Sequence, residues 1–262
     1  MQQPVMTQPG VPVQGQQWMA VPAPQAPVPV NCPPGLEYLT MIDQLFAYQL
    51  VDWREAFTGW EANNKYAIEN SIGQQVYYAF EKTPCCMRDF CGAQREFTIH
   101  IVDNFNREVM RVYRPFKVLC NAGCCCWCAG MGPCGNELLV EAPPGTVIGV
   151  VRQVSSICPF NWEVRDAENR AQLFIEGPCL MCRCCSNVDF QVLTVAQPRQ
   201  QVGKVSKQWM GLMREAYTNA DNFGIQFPMD LDAKTKATLL GAMFLIDFMA
   251  FEQPKNSRDS YY

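Results

Sequence analysis

The chain has 262 residues, of which 48% are hydrophobic and 18% charged, with a net charge of −4. That is a globular composition of a size for one large domain or two small ones, and its slight acidity argues against a nucleic-acid binder, which would present a basic face. Fifteen cysteines stand against a single histidine, His100, which leaves little material for a Cys–His nucleophilic site.

Residues 1–30 are rich in Pro and Gln and carry no charge. Such a segment buries too little apolar surface to offset its ordering entropy, so it is expected to be disordered. Pro9–Pro12 and Pro24–Pro27 have the PxxP spacing read by SH3 and WW domains. The first charged residue is Glu37, so a signal-peptide pattern is lacking and the thiols are expected in a reducing compartment. A folded domain is expected over 31–253, with 254–262 as a short tail.

Asn31-Cys32-Pro33-Pro34-Gly35 is a turn signal, and Leu36, Leu39 and Ile42 follow at helical spacing. The next ten residues fit helix or strand. From Lys65 the period becomes two. Tyr66 and Ile68 precede, and Val76, Tyr78 and Phe80 follow, the turn Asn70-Ser71-Ile72-Gly73. Phe97, Ile99 and Ile101 stand in the same relation to Val109 and Val112 across Asp103–Asn106. So do Phe160, Trp162 and Val164 to Leu173 and Ile175 across Asp166–Asn169. Each is a hairpin signature. Further strands are expected at Leu138–Glu141, Val147–Gln153, Val188–Val195 and Val202–Trp209, about a dozen in all. So many short strands point to a mainly β fold, and closure into an antiparallel barrel removes the exposed edges.

The cysteines fall between hairpins. Cys124, Cys125, Cys126 and Cys128 crowd one connection and Cys179 and Cys182 another. Cys125-x-x-Cys128 and Cys179-x-x-Cys182 together would suit a tetrahedral zinc site. The same Cys124–Cys128 run equally offers several thiols for acylation. No Gly-rich phosphate loop and no hydrolytic or redox site is visible, and His100 reads as a structural strand residue.

NCPPGLEYL at 31–39, EAPPG at 141–145, GPCLMCRCC at 177–185, GKVSKQW at 203–209, DNFGIQFPMDLD at 221–232 and FLIDFM at 244–249 resemble the phospholipid scramblase family, in order and at the right spacing. The resemblance implies a tubby-like fold, a closed barrel of about twelve strands around a central hydrophobic C-terminal helix. It implies calcium-activated, ATP-independent, bidirectional movement of membrane phospholipids at the cytosolic face of the plasma membrane. It makes Cys124, Cys125, Cys126 and Cys128 palmitoylation sites, although Trp127 stands where the family has Pro. A member that binds lipid or signalling partners as a palmitoyl-anchored adaptor, without transport, is the alternative. Gly203–Trp209 resembles a nuclear-import segment of some relatives, which would allow a minor nuclear pool; an exposed strand is the competing reading.

Laid on a twelve-residue calcium loop, Asn219, Asp221, Phe223, Ile225, Phe227 and Asp230 take the ligand positions, with Gly224 at the turn. Phe223 and Phe227 supply no side-chain oxygen and Asn219 replaces the family's Asp, so affinity falls on the order of 10⁻⁴–10⁻³ M. The alternation of Phe223, Ile225 and Phe227 also reads as a strand, with Asp230 or Asp232 capping the next helix.

That helix holds an unbroken apolar run, Ala237–Ile246. Ala237–Phe251 would span about 22 Å, short of the roughly 30 Å hydrocarbon core of a bilayer, and Asp247 interrupts it. A single-pass membrane helix is thus the weaker expectation and a barrel core the stronger. Acylation of the Cys124–Cys128 run predicts hydroxylamine-sensitive label on the chain; an unlabelled chain carrying about one zinc overturns it.

Overall fold

The period-two segments form twelve antiparallel strands in a computed structural model that describes residues 31–50, 64–82, 95–116, 135–154, 156, 160–178, 188–208 and 222–251. They are β1 (Gln44–Gln49), β2 (Lys65–Asn70), β3 (Gln75–Lys82), β4 (Phe97–Asp103), β5 (Glu108–Arg114) and β6 (Glu137–Glu141). Then come β7 (Val147–Gln153), β8 (Asn161–Asp166), β9 (Ala171–Glu176), β10 (Val188–Thr194), β11 (Gln201–Gln208) and β12 (Asn222–Gln226). Each strand pairs with the next, and β1 closes on β12 with Leu45 opposite Ile225. The result is a closed barrel.

Local side-chain chemistry sets the hairpins. Asn70 Oδ1 accepts the N–H groups of Ile72 and Gln74 at 3.1 and 2.9 Å, and Gly73 takes a φ of 77°. Asp103 Oδ1 accepts from Phe105 and Arg107, both at 2.9 Å, with Asn106 at φ 60°. Asp166 Oδ1 accepts from Arg170 at 2.8 Å, with Asn169 at φ 64°. Asn and Asp suit these turns because they hold the backbone through a side-chain oxygen and tolerate the left-handed region.

Up-and-down order puts these turns, with those of β6–β7 and β10–β11, at one end of the barrel, the turn end. The β12 exit and the 3-10 helix Glu37–Met41 lie there too, the latter with Leu39 buried. The strand ends that bound the connections β1–β2, β3–β4, β5–β6, β7–β8, β9–β10 and β11–β12 all lie at the opposite end.

The helix α1 (Ala233–Ile246) enters at the turn end and a π-helical turn, Asp247–Phe251, extends it to the opposite end. Asp232 caps it, its carboxylate accepting from Thr235 N at 3.0 Å, while Asp247, the residue that breaks the apolar run, marks the change of helix type. From Ala233 to Ile246 every residue except Lys234 is buried, so the helix is enclosed on all sides. Tyr66, Phe97, Phe190 and Phe223 close on Phe244, Phe248 and Phe251 at ring distances of 5.1, 4.2, 6.2 and 5.7 Å. No helix among the described residues is long and apolar enough to cross a membrane. The single-pass arrangement is therefore not the one found.

Two expectations are adjusted. On β3 the inward residues are Tyr77, Ala79 and Glu81, while Tyr78 and Phe80 face outward. A register shift at Ile68/Glu69 turns the strand over, and Phe80 stacks on His100 at 5.3 Å instead of entering the core. The ambiguous stretch after Ile42 is a strand, β1, whose Leu45 and Ala47 reach the core. Residues 1–30 and 254–262 lie outside the described residues.

One charge inside the barrel pins α1. Lys236 is fully buried, and its Nζ donates to the carbonyls of Ile42, Met229 and Leu39 at 2.7, 2.8 and 3.0 Å. Burial pushes its pKa down, partly opposed by Asp43, Asp230 and Asp232. Lys236→Met orphans three carbonyls and is expected to cost roughly 3 kcal/mol in urea unfolding. Gly149→Ala, whose Cβ would meet the Thr238 side chain, is expected to cost about 1–3 kcal/mol.

Candidate functional site

Function has to be sought at the two ends of the barrel and on its outside, because its interior is packed. The outward strand residues include Thr98, His100, Arg111, Arg152, Glu163 and Gln191, and the inward ones Ile99, Val112, Val151, Val164 and Val192. A membrane-spanning barrel has the reverse pattern, apolar outside and polar inside. On these strands the flank is polar and the interior apolar, although Tyr78 and Phe80 of β3 also face outward. His100 sits on that outer face, its Nδ1 2.7 Å from Glu108. Burial raises the Glu108 carboxyl, but hydrogen bonds from Arg111 and His100 overcome it and hold the pKa below the usual carboxylate range.

The end opposite the turns carries buried charge against the C-terminal turn of the helix. Tyr66 OH donates to Asp247 Oδ2 at 2.7 Å, with Asp247 only 6% exposed. Arg95, fully buried, donates from Nε and Nη2 to Glu81 Oε1 at 3.1 and 3.0 Å. Its guanidinium also lies 4.6 Å from the Phe248 ring centroid, and Lys207 Nζ lies 4.2 Å from that of Phe251. The predicted acylation sites Cys124, Cys125, Cys126 and Cys128, and the second zinc pair Cys179 and Cys182, lie outside the described residues. The strand ends that bound their segments, Arg114 with Glu137 and Glu176 with Val188, are at this end of the barrel. Among the described residues no group of three or more His, Cys, Asp or Glu side chains could hold a metal ion.

The predicted calcium positions are distributed as follows. Asn219 and Asp221 lie outside the described residues. Phe223 and Ile225 are in β12, paired to β1 on one side and β11 on the other, and their side chains are buried. Phe227 N–H donates to Asp43 O at 3.0 Å, and Asp230 is exposed in the turn before α1. From Phe223 to Phe227 the chain is thus extended, not curled around a point, and Asp232, not Asp230, caps the helix. Gly203–Gln208 belongs to β11 and is paired on both sides, with Lys204 Nζ 3.6 Å from Asp189.

The turn end holds a polar cleft of about 410 Å³, lined by Thr146, Val147, Arg165, Arg170, Lys234 and Thr238 among others. Arg165 donates to Glu163 and to Asn169, Arg170 to Asp166 and Glu168. Slight burial raises Asp166, but its bonds from the Arg170 backbone and side chain hold its pKa low. Thr238 donates to Lys234 O at 2.8 Å. The Thr238 hydroxyl and the Asp166, Glu168 and Asp232 carboxylates are bonded to neighbours, so among the described residues the cleft shows no paired nucleophile and base. Sequence reading missed it because its walls come from β7, the β8–β9 turn and the start of α1. The charge alternation of Asp166–Arg170 was its one local signal.

A family profile described as Scramblase matches residues 22–253. The chain belongs to the phospholipid scramblase family. It is 49% identical to phospholipid scramblase 1 of Mus musculus over 254 residues, covering 97% of this chain and 73% of the relative. To phospholipid scramblase 2 of Bos taurus it is 47% identical over 97% of this chain and 82% of that one. To phospholipid scramblase family member 5 of Homo sapiens it is 42% identical, over 95% and 88%. A solved structure of an Arabidopsis thaliana protein aligns at 10% identity and a TM-score of 0.41, over 78% of this chain and 92% of the other.

In this scramblase-family barrel Arg95 and Glu81 form a fully buried ion pair at the end the helix reaches. Arg95→Leu removes the buried guanidinium that Glu81 accepts from and is expected to cost roughly 3–5 kcal/mol in chemical unfolding. Adding Glu81→Leu is expected to return much of that loss; a merely additive double variant would show that the pair is uncoupled.

Proposed function

We propose that this chain is a phospholipid scramblase, moving phospholipids in both directions between leaflets without ATP and in response to calcium. The observation that carries the reading is the family match over residues 22–253. Acyl chains on Cys124, Cys125, Cys126 and Cys128 hold it at the cytosolic face of the plasma membrane. Two chains suffice for stable anchoring, since each buried CH₂ contributes roughly 0.8 kcal/mol. Lipid flipping breaks no bond and so needs no nucleophile.

With α1 filling the barrel, the headgroup path runs outside it. Calcium acts through Asn219, Asp221 and Asp230 at the weak end of the affinity range, not through a wrapped loop. Zinc on Cys125, Cys128, Cys179 and Cys182 is the competing use of those thiols. The Pro-rich head offers PxxP sites to SH3 or WW partners.

The packed interior also favours a second reading, a lipid-anchored adaptor that transports nothing. Purified full-length chain in liposomes with fluorescent phospholipid separates the two. Scrambling that rises with millimolar calcium, and that Asp221→Ala and Asp230→Ala blunt, supports the first. Unchanged lipid asymmetry with retained binding of the SH3 or WW probe supports the second.

A further inference from the structure

All twelve strands are described, and aromatic side chains are unevenly spread over their outer flank. Phe46 and Tyr48 face outward from β1, with ring centroids 6.3 Å apart, and Tyr78 and Phe80 from β3, 6.2 Å apart. Between them, β2 presents only Lys65, Ala67 and Glu69 on that face. Tyr48 and Tyr78 both stand opposite Ala67, Phe46 stands opposite Glu69, and Phe80 opposite Lys65. Two aromatic rows, roughly 10 Å apart across three strands, thus flank a floor whose centre is a methyl group. Outward aromatics on other strands are already engaged. Tyr113 donates to Glu96 at 3.3 Å, and Phe174 lies under the Arg199 guanidinium at 3.7 Å.

The chemistry of this face selects its occupant. Aromatic-lined grooves grip polyproline helices, whose preformed shape costs little entropy to hold. Such a helix makes no internal hydrogen bonds, so its carbonyls accept from whatever donors line the groove. The Tyr78 hydroxyl makes no hydrogen bond among the described residues and is such a donor. Lys65 and Glu69 have opposite signs and leave the floor without net charge. The chain carries a matching segment: residues 1–30 have no charge and place Pro22, Pro24, Pro27 and Pro29 close together.

The described chain begins beside this face. Tyr77 of β3 donates to Gly35 O at 2.9 Å, and Asn70 Nδ2 at the end of β2 donates to the Tyr38 hydroxyl. Pro24–Pro27 lies four to seven residues before Asn31, about 12–22 Å away as a polyproline helix. The six residues of β2 span about 20 Å. A tether this short holds the prolines at the floor at about millimolar effective concentration.

We infer that the outer face of β1–β3 binds the chain's own residues 20–30 as a polyproline helix lying between the Phe46–Tyr48 and Tyr78–Phe80 rows. Docked there, Pro24–Pro27 is withheld from SH3 or WW partners, which reach it only by competition. The inference is independent of lipid transport and holds for the scramblase and the adaptor readings alike.

The test uses the full chain with a photoreactive benzophenone side chain in place of Glu69, which leaves all four aromatic residues intact. Irradiation is expected to cross-link it to residues 20–30 of the same molecule. The same group in place of Gln191, on β10, is expected to give no such product. Cross-links to another segment, to a second copy or to nothing overturn the inference. A peptide of residues 20–30, followed through tyrosine ring signals in NMR, is the second probe. It is expected to bind the chain carrying Pro22→Ala, Pro24→Ala, Pro27→Ala and Pro29→Ala at least ten-fold more tightly than the unaltered chain, whose own segment occupies the face. Adding Tyr78→Thr is expected to weaken that binding about ten-fold, by loss of one half-buried ring. Equal affinity for the altered and unaltered segments, or no effect of Tyr78→Thr, overturns the inference as well.

Discussion

The helix α1 and the barrel each exist because of the other. Eight strands make an interior that side chains just fill, and the diameter grows with strand number, so twelve strands leave a lumen that needs a further occupant. A helix apolar on every side, in turn, has nowhere to stand in water. Its fourteen residues rise about 21 Å, which matches strands of five to eight residues. The fit is close enough that Gly149 and Gly241 have no room for a side chain: a Cβ on Gly241 would lie 2.7 Å from Val140. Charge fixes the position along the axis. Lys236 ties the entry of the helix to three backbone carbonyls and Asp247 ties its exit to Tyr66. A slide by one residue would bury both without partners.

Because the interior is committed in this way, the sequence features that look most membrane-like do different work. The apolar run Ala237–Ile246 is hydrophobic enough for lipid but serves as the barrel's core. Most strands carry polar residues outward, β3 with its outward Tyr78 and Phe80 among the exceptions. At the rim, Ile72 and Phe105 are exposed on turns whose backbone is held by Asn70 and Asp103.

Much of this was legible from the chain. Turns such as Asn70–Gly73, Asp103–Asn106 and Asp166–Asn169 announced themselves because their conformation is set within four residues. The inward faces of β4, β8 and β10 followed from alternation. Where alternation misled, on β3, the cause was a bulge whose effect belongs to the pairing with β2 and not to the local sequence. Val76, Tyr78 and Phe80 form a regular apolar series, yet the fold buries Glu81 on the other face, because Arg95 arrives from the start of another strand to neutralise it. Lys236 is the same kind of case. A lysine before an apolar run reads as a solvent-facing flank, and only the approach of Leu39 and Ile42 from the far end of the chain makes it a core residue.

The two ends of the barrel differ for a reason that begins in loop length. At the turn end the connections are four to six residues long and fixed by their own side chains, so that face is rigid before it meets anything. At the other end the strands are joined by segments of 7 to 22 residues, and it is there that the helix finishes in a π-turn among Arg95, Glu81, Tyr66 and Asp247. Buried ionic groups contribute little net stability compared with apolar packing, but they penalise any arrangement that separates them. Their placement makes the last turn of the helix the part of the core that tolerates least displacement. The asymmetry of the two ends then follows from a single architectural fact: the helix enters through short turns and leaves among longer connections.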